Sequence, residues 1–169
     1  MKKILPVAVL AALAGVNGAQ AVHVNSDGLG QVLLYPFYST EGDNDTYISL
    51  VNTTSEYKAV KVRILESMNS REVLDFNLYL SPYDHWSAVI TSAEDEASID
   101  AAGATLTSFD TSCTVPLAVS QGETIPFRTF EFTDDSENTV ERTQEGYVEI
   151  IEMGVVTDSD FQAEIKPVN

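Results

Sequence analysis

Between Thr46 and Thr91 the chain alternates apolar and polar residues with a period of two. In 47–51, Ile48 and Leu50 face one way and Tyr47, Ser49 and Val51 the other. In 59–65, Val60, Val62 and Ile64 alternate with Lys61 and Arg63, the signature of a half-buried strand, apolar inside and basic outside. In 72–80, Leu74, Phe76, Leu78 and Leu80 alternate with Val73, Asp75, Asn77 and Tyr79. The link Met68-Asn69-Ser70 is short and polar, so these two runs are expected to pair as a hairpin. Ser81-Pro82-Tyr83-Asp84 reads as a type I turn, with Pro at the second position where its fixed φ fits. Trp86, Ala88 and Ile90 then share one face. A helix would scatter these apolar residues around its circumference, because its period is 3.6. Four consecutive strands of this kind predict an antiparallel sheet with one buried face, covered by a second sheet.

The rest of the chain is read the same way. Gly28-Leu29-Gly30 precedes an apolar and aromatic strand over 31–38, QVLLYPFY. Pro36 has no N–H to donate, so this strand is expected at an edge or with a bulge there. Glu41 to Asp45 is a polar turn. From Glu94 to Ala104 the alternation fails, and a short helix near 94–102 and a loop are both open readings. Further strands are expected over 104–109, 114–119, 127–132 and, most clearly, 146–156. Thr133 to Gln144 is charged and aperiodic and reads as an exposed loop. Thr157 to Asn169 carries a weak pattern with no capping feature or anchor at its end. The fold class expected is all-β, an antiparallel β-sandwich.

The N-terminus has a different order. Lys2 and Lys3 precede an uncharged apolar run from Ile4 to Val16, followed by Ala19-Gln20-Ala21. The run is shorter than the ~20 residues that span a bilayer. It fits the core of a cleavable signal peptide, with the cut after Ala21. Residues 1–21 are therefore read as a signal peptide and 22–169 as one β domain, with the N-terminal part of a longer protein as an open alternative. No later apolar segment reaches spanning length. The expected destination is the periplasm, the cell surface or the medium.

Charge narrows the partners. Nine basic residues face 26 acidic ones, a net charge of −17. Such a surface repels phosphate backbones and anionic membranes, so nucleic acid is not an expected ligand. Cys113 is the one cysteine. It reads as a buried inert thiol, an intermolecular bridge, or one half of a pair whose other half lies outside this chain. Asp43, Asn44 and Asp45 sit in a turn with oxygen ligands spaced as Ca²⁺ can use them, but the closing Glu of a 12-residue EF-hand loop is missing. A solvated turn is the simpler reading, and the same holds for Asp134, Asp135 and Glu137 and for Glu94-Asp95-Glu96. Asp84 and His85 are adjacent, which places them on opposite faces of a strand. No G-x-S-x-G elbow, zinc set or glycine-rich phosphate loop is present. Trp86 with Tyr79 and Tyr83 reads either as a platform for sugar rings or, more simply, as a core tryptophan under a sandwich.

Several strings resemble a group of uncharacterised exported or cell-surface proteins of proteobacteria. They are Gly28-Leu29-Gly30-Gln31-Val32-Leu33, Leu50-Val51-Asn52-Thr53, Lys58 to Arg63, Arg71 to Pro82 and Glu145 to Glu149. The resemblance covers about half of the chain after Ala21 and implies a surface or secreted location without a reaction. An Asn-Thr strand end leading to a Val-x-Val strand, and a Leu-x-Pro turn, also resemble immunoglobulin-like modules of bacterial surface proteins. The expected function is a non-enzymatic surface, structural or adhesion-related protein that pairs a sheet edge with a protein partner or a further domain. The alternative is a carbohydrate- or Ca²⁺-binding module that uses the acidic loops. No cofactor other than that Ca²⁺ is expected.

Overall fold

The computed structural model describes residues 24–93, 103–116, 119, 122–129, 132 and 139–166. The signal-peptide segment, the helix expected near 94–102 and the acidic clusters at 94–96 and 134–137 lie outside the described residues. The chain divides into two units, residues 1–30 and 31–169. In the first, a turn is held by the Asp27 N–H donating to Asn25 Oδ1 at 2.9 Å.

The second unit contains nine strands in two antiparallel sheets, among the described residues. They are β1 (Val32–Ser39), β2 (Thr46–Val51), β3 (Lys58–Glu66), β4 (Glu72–Leu80), β5 (His85–Ser92), β6 (Ala104–Ser108), β7 (Cys113–Val115), β8 (Glu123–Pro126) and β9 (Glu145–Val155). One sheet has the order β1-β9-β3-β4-β7 and the other β2-β5-β6-β8. The protein is an all-β sandwich, as the alternation predicts. The alternating apolar residues of both sheets meet in one core: Val60, Val62, Ile64, Phe76 and Leu78 from the first, Ile48, Leu50, Trp86 and Ile90 from the second. Trp86 is fully buried, with its ring centroid 5.8 Å from that of Phe76.

The β3–β4 hairpin forms with Val62 opposite Phe76. The four consecutive strands do not share one sheet, however. β2 pairs with β5, while β3 and β4 lie in the opposite sheet. Period 2 says which face of a strand is buried but not which strand lies beside it. The deciding features are two crossings. Asn52, at the β2–β3 crossing, is buried and donates to Glu56 O at 2.7 Å and to Ser81 O, in the β4–β5 crossing, at 2.8 Å. Its Oδ1 accepts from Thr54 N and Thr54 Oγ1. Asn52→Ala is expected to cost about 1–3 kcal/mol, because it removes four hydrogen bonds made by a buried side chain, and equilibrium urea unfolding measures it. At the second crossing Asp84 N–H donates to Ser81 O, and Tyr83 has φ 57°. A positive φ at the third position makes this a type II turn rather than type I. The carboxylate of Asp84 closes it by accepting from Ser81 N and Ser81 Oγ.

The pairing of β2 with β5 and of β3 with β9 parallels the B–E and C–F pairs of immunoglobulin-like sandwiches. The first strand departs from that scheme, because β1 pairs antiparallel with β9 at the edge of the sheet. Pro36 sits on this edge strand and at a register shift between Tyr35 and Tyr38, so both tolerated positions for a strand proline coincide. Three further expectations are corrected. The strand expected over 127–132 lies earlier, at β8. Just beyond it, the Phe127 N–H still donates to Ala104 O of β6, and its ring packs edge-on against Tyr38, centroids 5.9 Å apart. The weak C-terminal stretch contains a short helix α1 (Ser159–Glu164), capped by Asp158, whose side chain accepts from Asp160 N and Phe161 N. Phe161 anchors it by an edge contact with Tyr79, 5.1 Å between centroids. The third correction concerns 139–144. It is not an exposed loop but a 3-10 helix (Val140–Gln144) in which Arg142 and Thr143 are buried.

Candidate functional site

The buried 3-10 segment is the most polar part of the interior. The Glu66 side chain, at the end of β3, is 0% exposed and that of Arg142 1%. Arg142 Nε donates to Glu66 Oε2 at 2.9 Å and its Nη2 to Glu66 Oε1 at 3.2 Å. Arg142 also donates to Asn69 Oδ1 and lies 4.3 Å from the Phe132 ring centroid. The carboxylate further accepts from the N–H groups of Met68, Asn69 and Arg71. It is the acceptor around which the β3–β4 turn is wrapped. Burial pushes the Glu66 carboxyl up, but Arg142 and these backbone donors outweigh it and hold it below the usual range. A depressed carboxyl contributes stability that is present above its unfolded pKa and lost as pH falls through its folded one. The expected result is a loss of stability on acidification below about pH 4.3, the ordinary glutamate value, absent from a Glu66→Gln variant. Urea midpoints across that range measure it. Tyr38 closes the cluster, its hydroxyl donating to Thr143 O at 2.9 Å. Both side chains of the pair are buried, and it fastens the 3-10 segment to the end of β3 and to the β3–β4 turn.

The exposed chemistry is at the sheet edges. β1 and β2 are the edge strands of their sheets. They lie on one side of the sandwich, because Tyr35 on β1 donates its hydroxyl to Ser49 O on β2 at 2.6 Å. Val32, Leu34 and Phe37 on β1 and Tyr47 and Val51 on β2 each face outward from their own sheet and are all more than half exposed. Elsewhere the outer face of the first sheet is ionic. Lys58 pairs with Glu152 at 2.5 Å, Lys61 with Asp75, and Arg63 with Glu72 and Glu149 at 2.8 and 2.9 Å. The basic outer positions of β3 thus meet acids from β4 and β9, and each such surface pair is worth little on its own. Together they pair three of the nine basic residues of the chain with four acids.

The singled-out residues that lie among the described ones each have a definite place. Asp43 lies in a 3-10 turn (Glu41–Asp43), and the Asn44 amide donates to Glu41 O. Among the described residues no group of three or more His, Cys, Asp or Glu side chains is gathered as a metal would need. Cys113 lies half-buried in the edge strand β7 opposite Tyr79. Burial pushes its thiol up, which lowers the thiolate fraction and its reactivity. The Trp86 ring is enclosed in the core, and Tyr83, in the turn, is exposed, so the three aromatic rings do not form one platform. Asp84 closes its turn through Ser81 and also accepts from the backbone N–H of His85 at 3.0 Å. The structure brings His85 Nε2 to 3.0 Å from Ser49 Oγ, a cross-strand contact the sequence conceals because it depends on β2 pairing with β5. That contact is an exposed hydrogen bond between two edge-proximal side chains.

No helix among the described residues is long and apolar enough to cross a membrane. No family model, curated protein or solved structure matches this chain. What the fold and its surface define is therefore a class, an acidic antiparallel β-sandwich with an apolar pair of sheet edges on one side.

Proposed function

We propose that this is an exported, non-enzymatic surface or interaction protein that uses the β1/β2 side of its sandwich to bind a protein partner. The observation that carries the reading is the set of outward apolar residues on the two edge strands, Val32, Leu34 and Phe37 on β1 and Tyr47 and Val51 on β2. An edge strand offers unpaired backbone donors and acceptors, and alternate apolar side chains give a partner strand its register. The resemblance to exported proteobacterial proteins supports the same reading. Export rests on the charge, apolar run and Ala-x-Ala order at residues 1–21.

Two measurements test it. N-terminal sequencing of the exported protein is expected to begin at Val22, and an intact Met1 in the exported fraction removes the export half of the reading. A photo-reactive residue at Leu34 is expected to give a defined adduct with a second polypeptide in the producing cell. The same residue at Thr124, on the opposite edge strand β8, serves as the control. Equal labelling at both positions, or none at Leu34, removes the interaction half.

A further inference from the structure

β1 is joined to the rest of its unit by one neighbouring strand and one covalent link. It is the first element of the unit that starts at Gln31. Its inward side chains belong to the core: Tyr38 is fully buried, and Leu33 and Tyr35 pack against the same cluster. The link to β2, residues 40–45, is under local strain. Thr40 Oγ1 is buried with no hydrogen-bond partner among the described residues. Gly42 and Asp43 follow each other in the left-handed region, at φ 63° and 62°. Glycine adopts that region freely; Asp43 carries a Cβ and does so at a modest cost, aspartate being one of the few other residues that visit it. The strand itself is interrupted by Pro36 and the register shift beside it. The core thus requires a strand in this position, yet the tether that supplies it is short and strained. Those are the conditions under which an identical strand from another copy can take the place.

We infer that β1 is an exchangeable strand and that its partner is a second copy of this chain. In the exchanged pair, link 40–45 opens, and β1 of each copy pairs with β9 of the other in the register Val32–Ile151 to Ser39–Glu145. Every contact of β1 is kept. The opened link releases the Thr40 hydroxyl to water and takes Gly42 and Asp43 out of the left-handed region. A net charge of −17 on each chain opposes the approach of two copies, so the exchanged dimer gains with ionic strength. The inference shares the β1 edge with the proposed function but stands apart from it. A foreign partner adds to the outer side of β1, whereas exchange replaces β1 itself.

The test begins with the unsubstituted protein in light scattering after chromatography. A dimer that grows with protein concentration and with salt, and that reverts slowly on dilution, is expected. Val32→Cys with Ile151→Cys, in a Cys113→Ser background, then reports which chain supplies β1. Oxidation of the isolated dimer is expected to link two chains, and oxidation of the monomer to link none. Asp43→Gly relieves the closed link and is expected to lower the dimer fraction several-fold, a readout that does not depend on the cysteine variant folding. A single monomeric species at every concentration and salt overturns the inference. So does a dimer whose oxidised cysteines stay within each chain, or a dimer fraction unmoved by Asp43→Gly. A Leu34 cross-link to a foreign polypeptide is independent of all three results.

Discussion

Replacing Arg142 with alanine is expected to cost about 3–5 kcal/mol, the usual loss when one partner of a buried ion pair is removed. The physical reason lies in what stays behind. Glu66 is fully enclosed and keeps its backbone donors from Met68, Asn69 and Arg71, but loses the cation that faces both of its oxygens. An unpaired carboxylate in that place must be either desolvated or protonated. The loss should therefore be largest at neutral pH and shrink on acidification, as the carboxyl of the variant takes up a proton. Glu66→Ala is expected to cost at least as much, because it removes both the carboxylate that faces Arg142 and the acceptor of the β3–β4 turn. Domains are stable by only about 5–15 kcal/mol, so either change takes a large share of the total. Urea unfolding of each variant at neutral and acidic pH reads the effect. A loss below 1 kcal/mol for Arg142→Ala would remove the argument that this pair fastens the 3-10 segment to the turn.

Gly146→Ala is the second large effect expected. A Cβ at this position would lie 1.9 Å from Leu65 O and 2.7 Å from a ring carbon of Tyr38. Glu66 and Gly146 are register partners, and a register shift follows Ile64 on the other side of the same strand. The backbone of β3 therefore passes too close to β9 for any side chain. Backbone cannot yield as a flexible side chain can, so the cost should exceed the ordinary overpacking range of about 1–3 kcal/mol. Because Ser67 N–H donates to Glu145 O beside this contact, the variant should also expose amides at this end of the β3–β9 ladder. Hydrogen exchange at Leu65, Ser67 and Tyr147 measures that local opening. Unchanged protection with unchanged stability would show that the strands can separate there without loss.

Both effects arise at one end of the sandwich, where Tyr38, Glu66, Arg142, Thr143 and Gly146 meet. None of them was legible as a cluster in the sequence. Glu66 and Arg142 are 76 positions apart. The stretch around Arg142 is charged and aperiodic, and such composition ordinarily means an exposed loop. Burial of a charged residue depends on a partner from another part of the chain, and local pattern contains no record of that partner. The candidate surface was partly legible. Pro36 pointed to an edge strand, because a residue without an N–H cannot pair on both sides. That β2 is an edge as well, beside β1, followed only from the two sheets and the Tyr35–Ser49 bond.

The sequence by itself determined the class of the fold, most of the strands and the face each one buries. Alternation with period 2 is a local property, and the hydrophobic effect acts on it wherever the strand ends up. The sequence also determined the acidity of the surface and the turn residues at Asn69-Ser70 and Pro82-Tyr83. The tertiary structure alone decided the rest: which strands are neighbours, the buried Glu66–Arg142 pair, the need for glycine at 146 and the apolar β1/β2 side. Those features depend on pairing across long separations in the chain. Their free energy comes from groups that meet only after the two sheets have packed.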